Sequence, residues 1–158
     1  MAKSFESLQD SANAKWESIL NPSRPQIFVG MGIHGLAAGA PEVIETLRSA
    51  LKRHSIEADI YETGGLGLDY AEVIVSIIRP GDPRLFYSNV TPEMAIQLVE
   101  DYLVKGNPRP DILMGAIGNL DGTDLPNLFD RPEFVLQNRV ATQNCGITDP
   151  TDLSQYIA

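Results

Sequence analysis

The residues of this chain best suited to chemistry lie in two glycine-rich stretches. The first is Gly30-Met31-Gly32-Ile33-His34-Gly35, directly after the short apolar run Gln26 to Val29. The second is Gly64-Gly65-Leu66-Gly67-Leu68-Asp69. A turn without Cβ atoms lets the backbone come close to a bound group. Three kinds of group can be tried on these letters. A dinucleotide suits G-x-G-x-x-G after a strand, with an acidic residue closing the next strand to hold the ribose, and Glu62 stands roughly there. A P-loop shares the Gly30 to Gly35 gap, but Leu36 and Ala37 occupy the places of the required Lys and Ser or Thr, so that reading fails. An iron–sulfur cluster would use both stretches, and it needs thiolates, with histidine as an occasional replacement.

His34 and Asp69 could meet across the two turns. Two ligands of that kind make a weak metal site, so the expected state is an ordinary hydrogen-bonded pair with no native metal. His54 closes a helical run beside Lys52 and Arg53, a surface position that suits the negative end of a helix. Cys145 is the only cysteine, so neither an intrachain disulfide nor an all-cysteine metal site can form. It reads as a buried small residue or a turn residue, because a reactive thiolate needs a base or a positive neighbour. No catalytic residue is expected.

Regular elements must hold the two turns in place. Phe5, Leu8, Ala12, Trp16 and Ile19 form one helical stripe that Ser4 can cap, and Phe5, Leu8 and Trp16 are expected to pack against protein, either this domain's sheet or a neighbouring chain. The segment Asn21-Pro22-Ser23-Arg24-Pro25 ends that helix. Val43, Ile44, Leu47, Ala50 and Leu51 make a second stripe, opened by Pro41. Ile56 to Glu62 alternates like a strand, giving a parallel strand–helix–strand unit. Val73 to Ile78 reads as a strand covered on both faces, and Leu85 to Tyr87 returns beside it after Pro80-Gly81-Asp82-Pro83. Thr91 and Pro92 start a last helix, which Gly106 stops.

The core is therefore expected to end near Gly106. Residues 107–132 read as an extended, turn-rich connector in which Ile112 to Ile117 could form a short strand. The tail after it has too few apolar residues for a core of its own. The chain has 158 residues, 43% of them hydrophobic and 21% charged, which suits one globular domain. A formal net charge of -9 argues against nucleic acid and anionic membrane as partners. With no signal pattern and no long apolar run, a cytoplasmic protein without membrane insertion is the expectation.

Four segments in order resemble a known family: VGMGIHGLAAGA, GGLGLDYAEV, LFYSNVTPE and QNRVATQNCGITDPTDLSQYIA. Together they are similar to the N-terminal region of the flavoprotein subunit of NADH dehydrogenase, as in respiratory complex I and related hydrogenases and formate dehydrogenases. The resemblance implies a thioredoxin-like ferredoxin domain of α/β class, which in many members holds a [2Fe–2S] cluster on C-x4-C and C-x3-C. Here Gly30 and Gly35 stand at the first pair, and Gly65 and Asp69 at the second. The resemblance also implies that the FMN, NADH and [4Fe–4S] sites belong to sequence beyond Ala158.

The expected organisation follows: an N-terminal helix in residues 1–24, a thioredoxin-like domain in 25–106, the connector in 107–132, and in 133–158 the lead-in to an FMN- and NADH-binding domain. The expected role is a cluster-less structural or docking domain of an NADH-dependent flavoprotein oxidoreductase. Its partners would be the FMN/NADH-binding domain or a ferredoxin-type subunit, with homo-oligomers possible. The alternatives are a nucleotide-binding domain using Gly30 to Gly35 and a free-standing adaptor.

Overall fold

The computed structural model describes residues 4–158; residues 1–3 of the expected N-terminal helical segment lie outside that range. Ser4 caps α1 (Phe5–Leu20), its Oγ accepting from the Ser7 N–H at 3.3 Å. Only part of the apolar stripe packs inward. Ala12 and Ile19 are buried and Trp16 is half-buried, while Phe5 and Leu8 face solvent. Within this chain the sheet side of the stripe is covered, and Phe5 and Leu8 are left open to a neighbouring chain.

Five strands form one mixed sheet in the order β2-β1-β3-β4-β5. They are β1 (Gln26–Gly30), β2 (Asp59–Thr63), β3 (Val75–Ile78), β4 (Arg84–Tyr87) and β5 (Leu113–Ile117). β1 pairs parallel with β2 and antiparallel with β3, with Phe28 opposite both Tyr61 and Ser76. Alternation along each strand sorts side chains to two faces. Ile27, Val29, Val75, Ile77, Leu85 and Tyr87 share one buried cluster with α3 (Ala40–Arg53) and α4 (Pro92–Leu98). α3 contributes Val43, Ile44, Leu47, Ala50 and Leu51, the stripe read from its spacing. Each Val, Ile or Leu side chain among them, once buried, contributes about 1.5–3 kcal/mol of transfer free energy. α4 runs on as a π-helical turn over Val99–Val104, and Gly106, at φ 77°, ends it.

The other face carries Phe28, Ser76, Arg84 and Phe86 and is covered by later parts of the chain. Here the expected boundary at Gly106 fails. β5 pairs antiparallel with β4, placing Phe86 opposite Gly115 and Leu85 opposite Ala116. Beyond it, Leu128 and Phe134 join Leu66, Leu68, Phe86 and Met114 in a second buried cluster. Leu128 crosses so close to β5 that a Cβ on Gly115 would lie 2.7 Å from the Leu128 Cα. The connector is thus an edge strand and a packed turn. Its polar composition misled because the Asn127 side chain caps the 3₁₀ turn Leu128–Asp130, accepting from the Phe129 N–H at 2.9 Å.

The last residues contain two short helices, α5 (Pro132–Val135) and α6 (Leu153–Ile157). Leu136 and Tyr156 are exposed, as suits a segment poor in core residues. Polar anchors hold the tail instead. Arg84 donates from Nη2 to the Gly146 carbonyl and from Nη1 to that of Ile147, both at 3.2 Å. Lys15 of α1 pairs with Asp152 at 2.5 Å. Among the described residues, no helix is long and apolar enough to cross a membrane.

Candidate functional site

The two glycine turns meet at one end of the sheet. β1 delivers Gly30, whose N–H donates to the Ile74 carbonyl at 2.9 Å; Met31 then donates to Thr63 at 2.8 Å. The chain turns at once into α2 (Ile33–Ala37), which lies against the strand it has just left. A Cβ on Gly35 would fall 2.2 Å from the Gly30 carbonyl oxygen, so only glycine permits this approach. On the other side, a Cβ on Gly32 would lie 3.1 Å from the Gly65 nitrogen, so the first turn also touches the second.

Gly30, Gly35 and Gly65 point at a common target, which is the carboxylate of Glu72. Ideal Cβ atoms on Gly30 and Gly35 would lie 3.2 and 3.3 Å from Glu72 Oε2, and one on Gly65 would lie 3.6 Å from Oε1. Glu72 follows the 3₁₀ turn Asp69–Ala71 and is half-buried. Its Oε2 accepts from the Ile74 N–H at 3.1 Å. Desolvation, foremost, raises the Glu72 carboxyl above its ordinary value; the Asp69 charge adds to this, while the Ile74 N–H and His34 oppose it. Asp69, the fourth position singled out from the sequence, lies exposed on the rim. There its Oδ1 is 3.0 Å from His34 Nδ1. Among the described residues, no three His, Cys, Asp or Glu side chains converge as metal ligands would.

Sequence reasoning overlooked Glu72. The available signal was a lone acid heading a run of apolar strand residues, where an unpaired charge is costly. Other candidates lie elsewhere. Glu62, the residue expected to hold a ribose, is exposed on β2. His54 ends α3, half-buried, with Nε2 3.6 Å from Glu100 Oε1. Cys145 sits in a tail turn, its N–H donating to the Thr142 carbonyl at 3.1 Å; it is exposed, so the buried alternative is corrected.

The raised Glu72 carboxyl has a consequence for stability. Between the ordinary value of 4.5 and the raised one, the folded chain binds more protons here than the unfolded chain. Stability from this group is therefore greatest below that window and falls as pH rises through it. Glu72→Gln keeps an acceptor for the Ile74 N–H and removes the charge. Thermal unfolding is expected to show a higher Tm for the variant than for the parent at pH 8. The gap should narrow as the pH falls toward 4.5. An equal gap at both ends of the range would mean that Glu72 titrates as an ordinary surface acid.

No protein-family model matches this chain, and no curated protein matches it. Solved structures do. A thioredoxin-like [2Fe–2S] ferredoxin from Aquifex aeolicus is 17% identical, with a TM-score of 0.52 over 61% of this chain and 94% of the ferredoxin. A wild-type crystal structure of a thioredoxin-like [2Fe–2S] ferredoxin from the same organism is 19% identical over 58% of this chain and 96% of that one, with a TM-score of 0.49. The first likeness shows the fold: a thioredoxin-like α/β domain.

Proposed function

We propose that this thioredoxin-like domain is a cluster-less docking module of an NADH-dependent flavoprotein oxidoreductase of the NADH dehydrogenase type. One observation carries the reading: three of the four positions with cluster-ligand spacing are glycines whose Cβ directions converge on the Glu72 carboxylate. A [2Fe–2S] cluster needs thiolates to balance its ferric charge, and glycine offers no side-chain donor. At position 35 there is no room for a Cβ beside the Gly30 carbonyl. The residues present do not fit the cluster, and no electron-transfer step runs through this end of the fold.

What remains is a rigid α/β platform with an acidic surface, of net charge -9. The four ordered segments that resemble the NADH dehydrogenase flavoprotein subunit support the assignment of partners, an FMN- and NADH-binding domain or a ferredoxin-type subunit. The domain positions these partners and carries out no chemistry. A nucleotide at Gly30 to Gly35 fits less well. Gly35 lies inside a five-residue helix packed on its own strand, and the long helix begins only at Ala40. That leaves no long-helix N-terminus facing a pyrophosphate.

The test is to mix the purified chain with a separately expressed FMN- and NADH-binding subunit from the same organism. Co-elution at equal stoichiometry in size-exclusion chromatography is expected, together with no binding of NADH or ATP to the chain alone. Nucleotide binding without complex formation would overturn the reading.

A further inference from the structure

We propose that the cavity between α1 and the β3–β4–β5 end of the sheet binds a small amphipathic carboxylate, with Arg84 as its counter-charge. The cavity holds about 310 Å³, at the small end of the range for ligand pockets. Trp16 and Ile19 line it from α1, Ile78 and Ile117 from the sheet, and Ile147 from the tail, with Arg84 beside them. Apart from its charged and polar rim, it is an apolar chamber suited to a hydrocarbon chain.

Arg84 supplies what a plain hydrophobic void lacks. Its residue is 9% exposed, and its guanidinium carbon lies 3.9 Å over the Phe28 ring and 5.0 Å from the Phe86 ring centre. Nε donates to Ser76 Oγ at 2.8 Å, and the two terminal nitrogens donate to the Ile147 and Gly146 carbonyls. All three acceptors are neutral. Among the described residues, no carboxylate lies within ion-pair distance of Arg84. Desolvation lowers its pKa to about 9, the mark of a buried cation with no opposite charge to match it.

A guanidinium carries five N–H groups, and three are used here. One N–H on each terminal nitrogen remains, and a carboxylate can accept a charge-assisted hydrogen bond from it. Asp82, also on the cavity wall, is already matched. Its Oδ2 accepts from the Tyr102 hydroxyl at 3.2 Å and lies 3.5 Å from Arg79 Nε. A neutral apolar guest would leave Arg84 unmatched, and a cationic guest would be repelled. A carboxylate on a short hydrocarbon chain satisfies both the charge and the lining.

Trp16 is the only tryptophan in the chain and lines the cavity, so its emission reports occupancy of the native protein. Titration with sodium octanoate is expected to shift that emission saturably. Octan-1-ol should bind about tenfold more weakly, and octylamine should leave the emission unchanged. Arg84→Met should weaken octanoate about tenfold more than it weakens octan-1-ol. If Arg84→Met does not fold, Ile117→Phe fills the cavity with Arg84 in place, and calorimetry should then show no heat of octanoate binding. Equal binding of octanoate and octan-1-ol, no response of Trp16 to octanoate, or full octanoate binding by Ile117→Phe would each overturn the proposal.

Discussion

Gly35→Ala is expected to destabilise the domain by about 3 kcal/mol, measured by urea unfolding. The new Cβ would sit 2.2 Å from the Gly30 carbonyl oxygen, a backbone atom at the end of a buried strand that cannot swing aside. Either α2 lifts off the sheet end or the strand gives up its bond to Ile74. Gly64→Ala is the control. Nothing lies within 4 Å of a Cβ there, and the change should stay within about 0.5 kcal/mol. If the two variants lose similar stability, the close approach of the first turn to the sheet is wrong. The same clash predicts that cysteine at position 35 cannot be accommodated without moving the backbone. Restoring a cluster by substitution at Gly30, Gly35, Gly65 and Asp69 would thus need more than four cysteines.

Leu128→Ala should cost about 3 kcal/mol, with an unchanged denaturant dependence. Leu128 is 0% exposed and packs with Phe86, Met114 and Phe134. Its backbone also presses on Gly115, so the surroundings cannot collapse to fill the space left by the smaller side chain. A connector residue would lose less than about 0.5 kcal/mol on the same change. The result separates a fold that ends near Gly106 from one that closes through β5 and the turn after it.

These two residues also mark what could be read from the letters. α1, α3, the parallel pair β1–β2 and the hairpin β3–β4 follow from apolar spacing, caps and turn residues that act over a few positions. The spacing of Gly30, Gly35 and Gly65 was visible, and so was the possibility of a contact between His34 and Asp69. Why position 35 must be glycine was not, because the reason is the distance to a carbonyl five residues back in the chain. Glu72 and Arg84 escaped for a related reason. Their meaning depends on partners remote in sequence: the glycine turns for Glu72, and the Gly146 and Ile147 carbonyls for Arg84. Leu128 was hidden by its setting, since Leu125, Leu128 and Phe129 among Pro, Asn and Asp make too short a pattern to reveal which of them is buried.

We propose that the glycine end of the sheet, where Gly30, Gly35 and Gly65 face the Glu72 carboxylate, holds no cluster. Anaerobic reconstitution of the purified chain with ferrous iron and sulfide, followed by iron analysis and visible spectroscopy, tests it most directly. The account predicts a colourless protein without stoichiometric iron and without a visible absorption band. Stoichiometric iron and sulfide, with a rhombic [2Fe–2S] signal on reduction, would contradict it.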